Sequence, residues 1–167
     1  MKDHSIWVEK YRPKTLDTYV GSERIKSYIG SCLEKNDIPH LLFHGVQGTG
    51  KTTLAKIIAN NSNFELLYIN ASDERGIDTI RENIVQFAEA STFKKLKIII
   101  LDEADYITST AQAALRNVNE SFSLNTRFIL TANYLEKIIE PLKSRFQVFK
   151  IEPPSKKEIY NFVSNNK

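Results

Sequence analysis

A chain of 167 residues, 41% hydrophobic and 26% charged, has room for one domain with a packed core, and a net charge of +3 is too small to make it a nucleic-acid binder on charge alone. Its one cysteine, Cys32, excludes an internal disulfide and points to a reducing compartment. No stretch approaches about 18 uncharged apolar residues and no signal-like segment opens the chain, so a soluble, intracellular protein without membrane contact is expected.

Residues 1–20 are mixed and aromatic, without clear period. Residues 22–35 read as a helix, with Ser22 as a possible cap and Glu23 in the first turn. "HLLFHG" (40–45) is a short apolar strand ending on Gly45, and 51–62 a helix. "FELLYIN" (64–70) is a second strand. Residues 77–90 place Ile77, Ile80, Ile84, Phe87 and Ala88 at helical spacing. "KIIIL" (97–101) is apolar from Ile98 onward, as a strand buried on both faces should be. A helix over 109–121, a strand over 127–133 and a short strand over 146–151 follow. Pro153-Pro154 then breaks the chain before a helical piece at 156–165. Strands alternating with helices predict an α/β fold in three layers with a five-stranded parallel sheet. From Lys137 to Lys167 seven Lys/Arg stand against three acids; a solvated surface explains this basic end about as well as a polyanion does.

Chemistry concentrates at strand ends. "GVQGTGKT" (45–52) fits G-x-x-x-x-G-K-[ST] in full, between a predicted strand and a predicted helix. The glycines Gly45, Gly48 and Gly50 let the backbone turn its N–H groups onto phosphate oxygens, with Val46, Gln47 and Thr49 between them and Thr53 behind. Lys51 brings a cation to the β and γ phosphates, and Thr52 a hydroxyl ligand for Mg²⁺. A P-loop needs an acid that approaches the metal from another strand end. "IIILDE" supplies Asp102 for the metal shell and Glu103 to polarise an attacking water. Ala104-Asp105 then needs no catalytic role, and Asp105 reads as a surface or capping residue. Asn133, just past an apolar strand, can touch the γ-phosphate or the lytic water. Arg145, twelve residues on, offers a planar cationic fork to developing phosphate charge, in its own site or a neighbour's.

Together these motifs resemble the AAA+ ATPase small subunits of sliding-clamp loaders, the replication factor C and T4-type phage group. "VEKYRP" (8–13) is similar to that family's N-terminal box and "GTGKTT" (48–53) to its P-loop. "NASDERGID" (70–78) resembles a box specific to clamp loaders, and "ILDEAD" (100–105) the Walker B segment. "TAN" and "PLKSRF" resemble sensor 1 and the Ser-Arg-Cys segment. A DEAD-box helicase resembles a different pattern, with a Ser-Ala-Thr motif and a second RecA-like domain; here Asp105 leads into "YITSTAQAAL" and the chain is too short for two such domains.

The resemblance implies ATP and Mg²⁺ as ligands. Val8, Tyr11, Arg12 and Val20 would line the adenine and ribose end. Asn133 would be sensor 1, and Arg145 would act in trans on the next subunit's ATP. It implies a hetero-oligomeric ring with other clamp-loader subunits, a sliding clamp, and primer–template DNA. Arg81 is then the foremost phosphate-contacting candidate, with Arg75 and Thr110 behind it, and Gln112 resembles a glutamine proposed to relay DNA contact to the catalytic glutamate. Two departures stand out. Ser144-Arg145-Phe146 replaces Ser-Arg-Cys, which leaves the arginine but changes its neighbour. Residues 1–152 would be the ATPase domain and 153–167 only the start of a helical lid, without the collar that joins the ring, so the isolated chain is expected to be monomeric and a slow ATPase. A nucleotide-binding interaction module with little turnover, or another AAA+ DNA-remodelling ATPase, are the alternatives.

Overall fold

A computed structural model of the chain describes residues 12–73 and 77–165. Its strands are β1 (Leu41–His44), β2 (Phe64–Asn70), β3 (Leu96–Asp102), β4 (Thr126–Ala132) and β5 (Gln147–Lys150). The helices are α1 (Glu23–Glu34), α2 (Lys51–Ala59), α3 (Ile77–Glu89), α4 (Ser109–Ser121), α5 (Glu140–Lys143) and α6 (Lys156–Asn165). All strand pairs are parallel, in the order β2-β3-β4-β1-β5.

Side-chain parity along the central strands divides the core in two, because successive residues of a strand point to opposite faces. Leu41, Phe43, Ile98, Ile100 and Ile129 pack with Ile29 of α1 and Leu54 and Ile58 of α2. Leu42, Ile99, Leu101, Phe128 and Leu130 pack on the other face with Ile80 and Ile84 of α3, Leu115 of α4 and Leu142 of α5. This is the expected three-layer sandwich, with β3 buried along its whole length.

That burial includes Lys97, which has no exposed surface. It shares parity with Ile99 and so faces α3. Its Nζ donates to the carbonyls of Phe87 (2.7 Å), Ala88 (3.0 Å) and Ala90. These are carbonyls at a helix C-terminus, which lack partners within the helix and attract a cation. A lysine that breaks the apolar run of β3 in sequence is therefore the C-terminal cap of α3.

Local differences from the expected elements have local causes. The helix expected over 51–62 ends at Ala59, because the Asn61 side chain accepts the N–H of Asn63 at 2.9 Å in a tight turn. Ser22 stands at the N-cap of α1, but its hydroxyl makes no capping bond among the described residues. Helix α5 lies in a stretch to which the sequence reading assigns no element; Pro141 sits in its first turn, where a missing N–H is harmless. Phe146, expected to open β5, turns instead into the α3–α4 side of the core.

His40, just before β1, ties the sheet together. Its Nδ1 accepts the N–H of Phe128 at 3.0 Å, and its carbonyl accepts from Gln147. Burial, reinforced by the Arg127 charge, lowers its pKa from 6.5 to about 4. Between those values the unfolded chain binds more protons, so stability is full above about pH 6.5 and falls as pH drops towards 4. His40→Asn keeps a neutral acceptor and should flatten that fall. The check is the urea midpoint at pH 7 and at pH 4.5; equal losses in parent and variant would contradict the assignment.

Candidate nucleotide-phosphate site

Parallel register brings the carboxyl ends of β1, β3 and β4 to one edge of the sheet, where ligands of open α/β folds bind. The loop after β1 begins at Gly45, whose N–H bonds to the Ala132 carbonyl of β4 at 3.2 Å. Gly45 has φ 151°, and a Cβ there would lie 2.2 Å from the carbonyl oxygen of Ile151, so no side chain fits. Gly50 ends the loop at φ 91° as the N-cap of α2. A Cβ on it would press on the Tyr19 ring at 3.2 Å, which joins the loop to the segment that follows the 16–18 turn.

Lys51 is only 6% exposed. Its Nζ donates to the carbonyls of Gly45 and Val46, both at 2.8 Å, so the loop folds its own peptide oxygens around the cation. Desolvation lowers its pKa, and the charges of Asp102, Asp105 and Glu103 work against that shift. Thr49, also buried, closes the loop by donating to Val46 O at 2.9 Å.

Asp102 is 5% exposed and takes three hydroxyl donors. Thr52 reaches Oδ1 at 2.7 Å from α2, Thr131 reaches Oδ1 at 2.5 Å from β4, and Tyr68 reaches Oδ2 at 2.8 Å from β2. Burial and the Asp102 contact push the Tyr68 phenol well above its ordinary pKa, so it stays a donor. Thr131 also accepts the N–H of Glu103 at 3.0 Å. Glu103 itself has φ 57° and ψ 43°, the left-handed region that a residue with a Cβ adopts at a cost.

A cavity of about 320 Å³ collects Arg12, Gln47, Gly48, Gly50, Lys51, Thr52, Thr53, Glu103 and Asn133 with Pro13 and Thr131. Thr52 and Asp102 are hard oxygen donors 2.7 Å apart, a pair that suits Mg²⁺ completed by phosphate oxygens and water. Val20 lies outside this cavity, in a groove of about 420 Å³ with Asp17, Thr18, Tyr19 and residues of α6. Val8, Tyr11 and Arg75 lie outside the described residues.

Arg145 does not line the cavity. It is paired with Glu120 at the end of α4 and donates to Pro141 O at 3.3 Å. Arg81 is exposed on α3, beside a cleft of about 240 Å³ shared with Asn117 and Ser121 of α4, and Thr110 is exposed in the first turn of α4. Gln112 is 1% exposed. Its Nε2 donates to Ile107 O and Lys137 O, and its Oε1 accepts from Ile139 N, so its amide is spent on backbone and reaches no external phosphate directly.

One expectation is overturned. Asp105 is not a surface or capping residue: it is 7% exposed, and neither carboxylate oxygen has a partner among the described residues. The turn over Ala104–Tyr106 rotates it inward while Tyr106 faces out. Thr131 and Tyr68 were not singled out from sequence. Their signal is a polar group near the carboxyl end of an otherwise apolar strand.

A strand, a glycine-rich loop and a helix that close on a lysine, with a buried acid at a neighbouring strand end, define a P-loop nucleoside triphosphatase. The sequence profile of the ATPase family associated with various cellular activities (AAA) matches residues 41–153, and the chain belongs to that family. It is 47% identical over 163 residues to the replication factor C small subunit of Archaeoglobus fulgidus, covering 93% of this chain and 51% of that protein. It is 51% identical over 156 residues to the namesake from Natronomonas pharaonis, covering 89% and 47%. The chain therefore spans about half the length of these relatives. In fold it is similar to the Thermotoga maritima RuvB Holliday junction branch migration motor, with TM-score 0.74, 20% identity and coverage of 92% and 53%.

Removing the Lys51 cation should weaken nucleotide binding strongly, since a charge-assisted contact to several phosphate oxygens disappears. Lys51→Ala is expected to lower affinity for a fluorescent ATP analogue by at least about tenfold. Unchanged affinity in a folded variant would refute the assignment.

Proposed function

We propose that the chain is the ATPase part of a sliding-clamp loader subunit, which couples ATP binding to opening a clamp and hydrolysis to its release on primer–template DNA. The observation that carries this reading is the gathering of Lys51, Thr52, Glu103 and Asn133 around one cavity, in a chain nearly half identical to replication factor C small subunits. Lys51 meets the β and γ phosphates. Thr52 and Asp102 hold Mg²⁺, which neutralises phosphate charge when bound. Glu103 accepts the proton of the attacking water, and Asn133 orients that water or the γ-phosphate. Val8, Tyr11, Arg12 and Val20 form the adenine and ribose end.

The partners of this reading are other loader subunits in a ring, the clamp, and DNA. Arg81, Arg75 and Thr110 are the residues assigned to contact with the DNA backbone, and Gln112 acts from inside, bracing α4 against the segment that leads to α5. Residues 1–152 are the ATPase domain, and α6, set off by Pro153-Pro154, begins the lid. The isolated chain is monomeric at micromolar concentration and turns ATP over slowly, because Arg145 serves a neighbour.

In a full-length assembly, Glu103→Gln should keep ATP binding and abolish hydrolysis, since an amide keeps the shape but accepts no proton. Hydrolysis at the parent rate would remove Glu103 from its role.

The trans assignment of Arg145 has its own test. Arginines acting across such interfaces are worth about 10³–10⁵ in rate. Mixing Arg145→Ala subunits with Lys51→Ala subunits should restore part of the activity, because some interfaces then pair an intact arginine with an intact P-loop. No mixture would recover activity if Arg145 served its own site.

A further inference from the structure

We propose that Glu120 is a positioning residue for Arg145, holding the guanidinium in the orientation in which it serves a neighbouring subunit's nucleotide; this rests on the trans reading of Arg145 given above. Arg145 follows α5 by two residues and projects from a short turn, where a long side chain has many rotamers. Two contacts restrict it. Nη2 forms an ion pair with Glu120 Oε1, and Nη1 donates to Pro141 O at 3.3 Å. A guanidinium is a rigid plane with five N–H donors, so holding Nη1 and Nη2 fixes the direction of the donors that remain.

Glu120 is suited to that task by its place. It lies in the last turn of α4, the helix that starts just after the acids Asp102 and Glu103. Gln112, near the other end of α4, bonds to the backbone of Lys137 and Ile139, which lead into α5. Helix α4 thus grips the arginine-bearing segment at two levels, through Gln112 on its backbone and through Glu120 on the arginine itself. Arg116, one turn before Glu120, shares the same Oε1 at 3.3 Å. Of the two arginines on that oxygen, Arg145 is the less exposed, at 31% against 42%. A pair this open contributes little to global stability. Its effect is to remove rotamer freedom from a group that must arrive in one geometry, which bears on rate.

The test uses a full-length assembly for rates and the 167-residue chain for side-chain order. Glu120→Ala is expected to lower kcat on the order of tenfold with KM for ATP unchanged. Glu120→Gln, which keeps an acceptor oxygen without the charge, should fall between. On an Arg145→Ala background Glu120→Ala should cost nothing more, because both changes act through one group. In the isolated chain, ¹⁵N relaxation at Arg145 Nε should show the side chain ordered in the parent and mobile in Glu120→Ala, with the backbone spectrum and Tm unmoved. Unchanged kcat or unchanged Arg145 order overturns the proposal. So does an additive loss, which places Glu120 on another path, or a rise in kcat, which makes it a restraint. If Arg145→Ala is itself harmless, the trans reading falls and this inference with it; a damaging Arg145→Ala beside a harmless Glu120→Ala overturns this inference alone.

Discussion

A single buried carboxylate holds the site together. Asp102 ends β3 almost out of solvent, where an unpartnered charge would be strongly destabilising. Its hydroxyl partners come from β2, β4 and α2, so the acid fixes three neighbouring elements relative to its own strand. The P-loop helix in particular is pinned by Thr52, and the Glu103 backbone is pinned in turn through Thr131. Lys51 obeys the same rule with opposite sign: a buried cation is met by two peptide carbonyls of its own loop.

The parts of this arrangement that depend on local chemistry were legible in the sequence. The strand read over 64–70 and the helix read over 109–121 match β2 and α4 in their bounds, and the P-loop motif lay in the strand-to-helix context it requires. The Walker acids could be paired with it because a metal-assisted site needs an acid from another strand end. What depends on three-dimensional neighbours was not legible. Strand order follows from crossovers and is absent from any local pattern. Tyr68 and Thr131 matter because their hydroxyls reach Asp102 from the two neighbouring strands, a relation of tertiary contact rather than spacing. Asp105 looked like an exposed acid until the turn over 104–106 rotated it inward. Glu120 and Arg145 lie 25 residues apart and meet only because α5 folds back onto α4.

The two faces of the sheet divide the work. Helices α1 and α2 pack on the face where α2 follows the P-loop, while α3, α4 and α5 form the side that carries Arg81, Gln112 and Arg145. That second side is tied to the sheet by polar as well as apolar contacts. Lys97 holds the end of α3, and Gln112 spans from α4 to the segment after β4.

Glu103 has a cost that its neighbours do not share. A residue with a Cβ held at φ 57° sacrifices about 1–2 kcal/mol relative to an ordinary backbone, and glycine or asparagine would relieve part of it. A search for sturdier variants of this domain, blind to turnover, would converge on that position and replace the glutamate. With Glu103 in its proposed role, thermal robustness and catalysis pull in opposite directions at one peptide unit, and libraries screened by melting temperature alone would then enrich inactive proteins there.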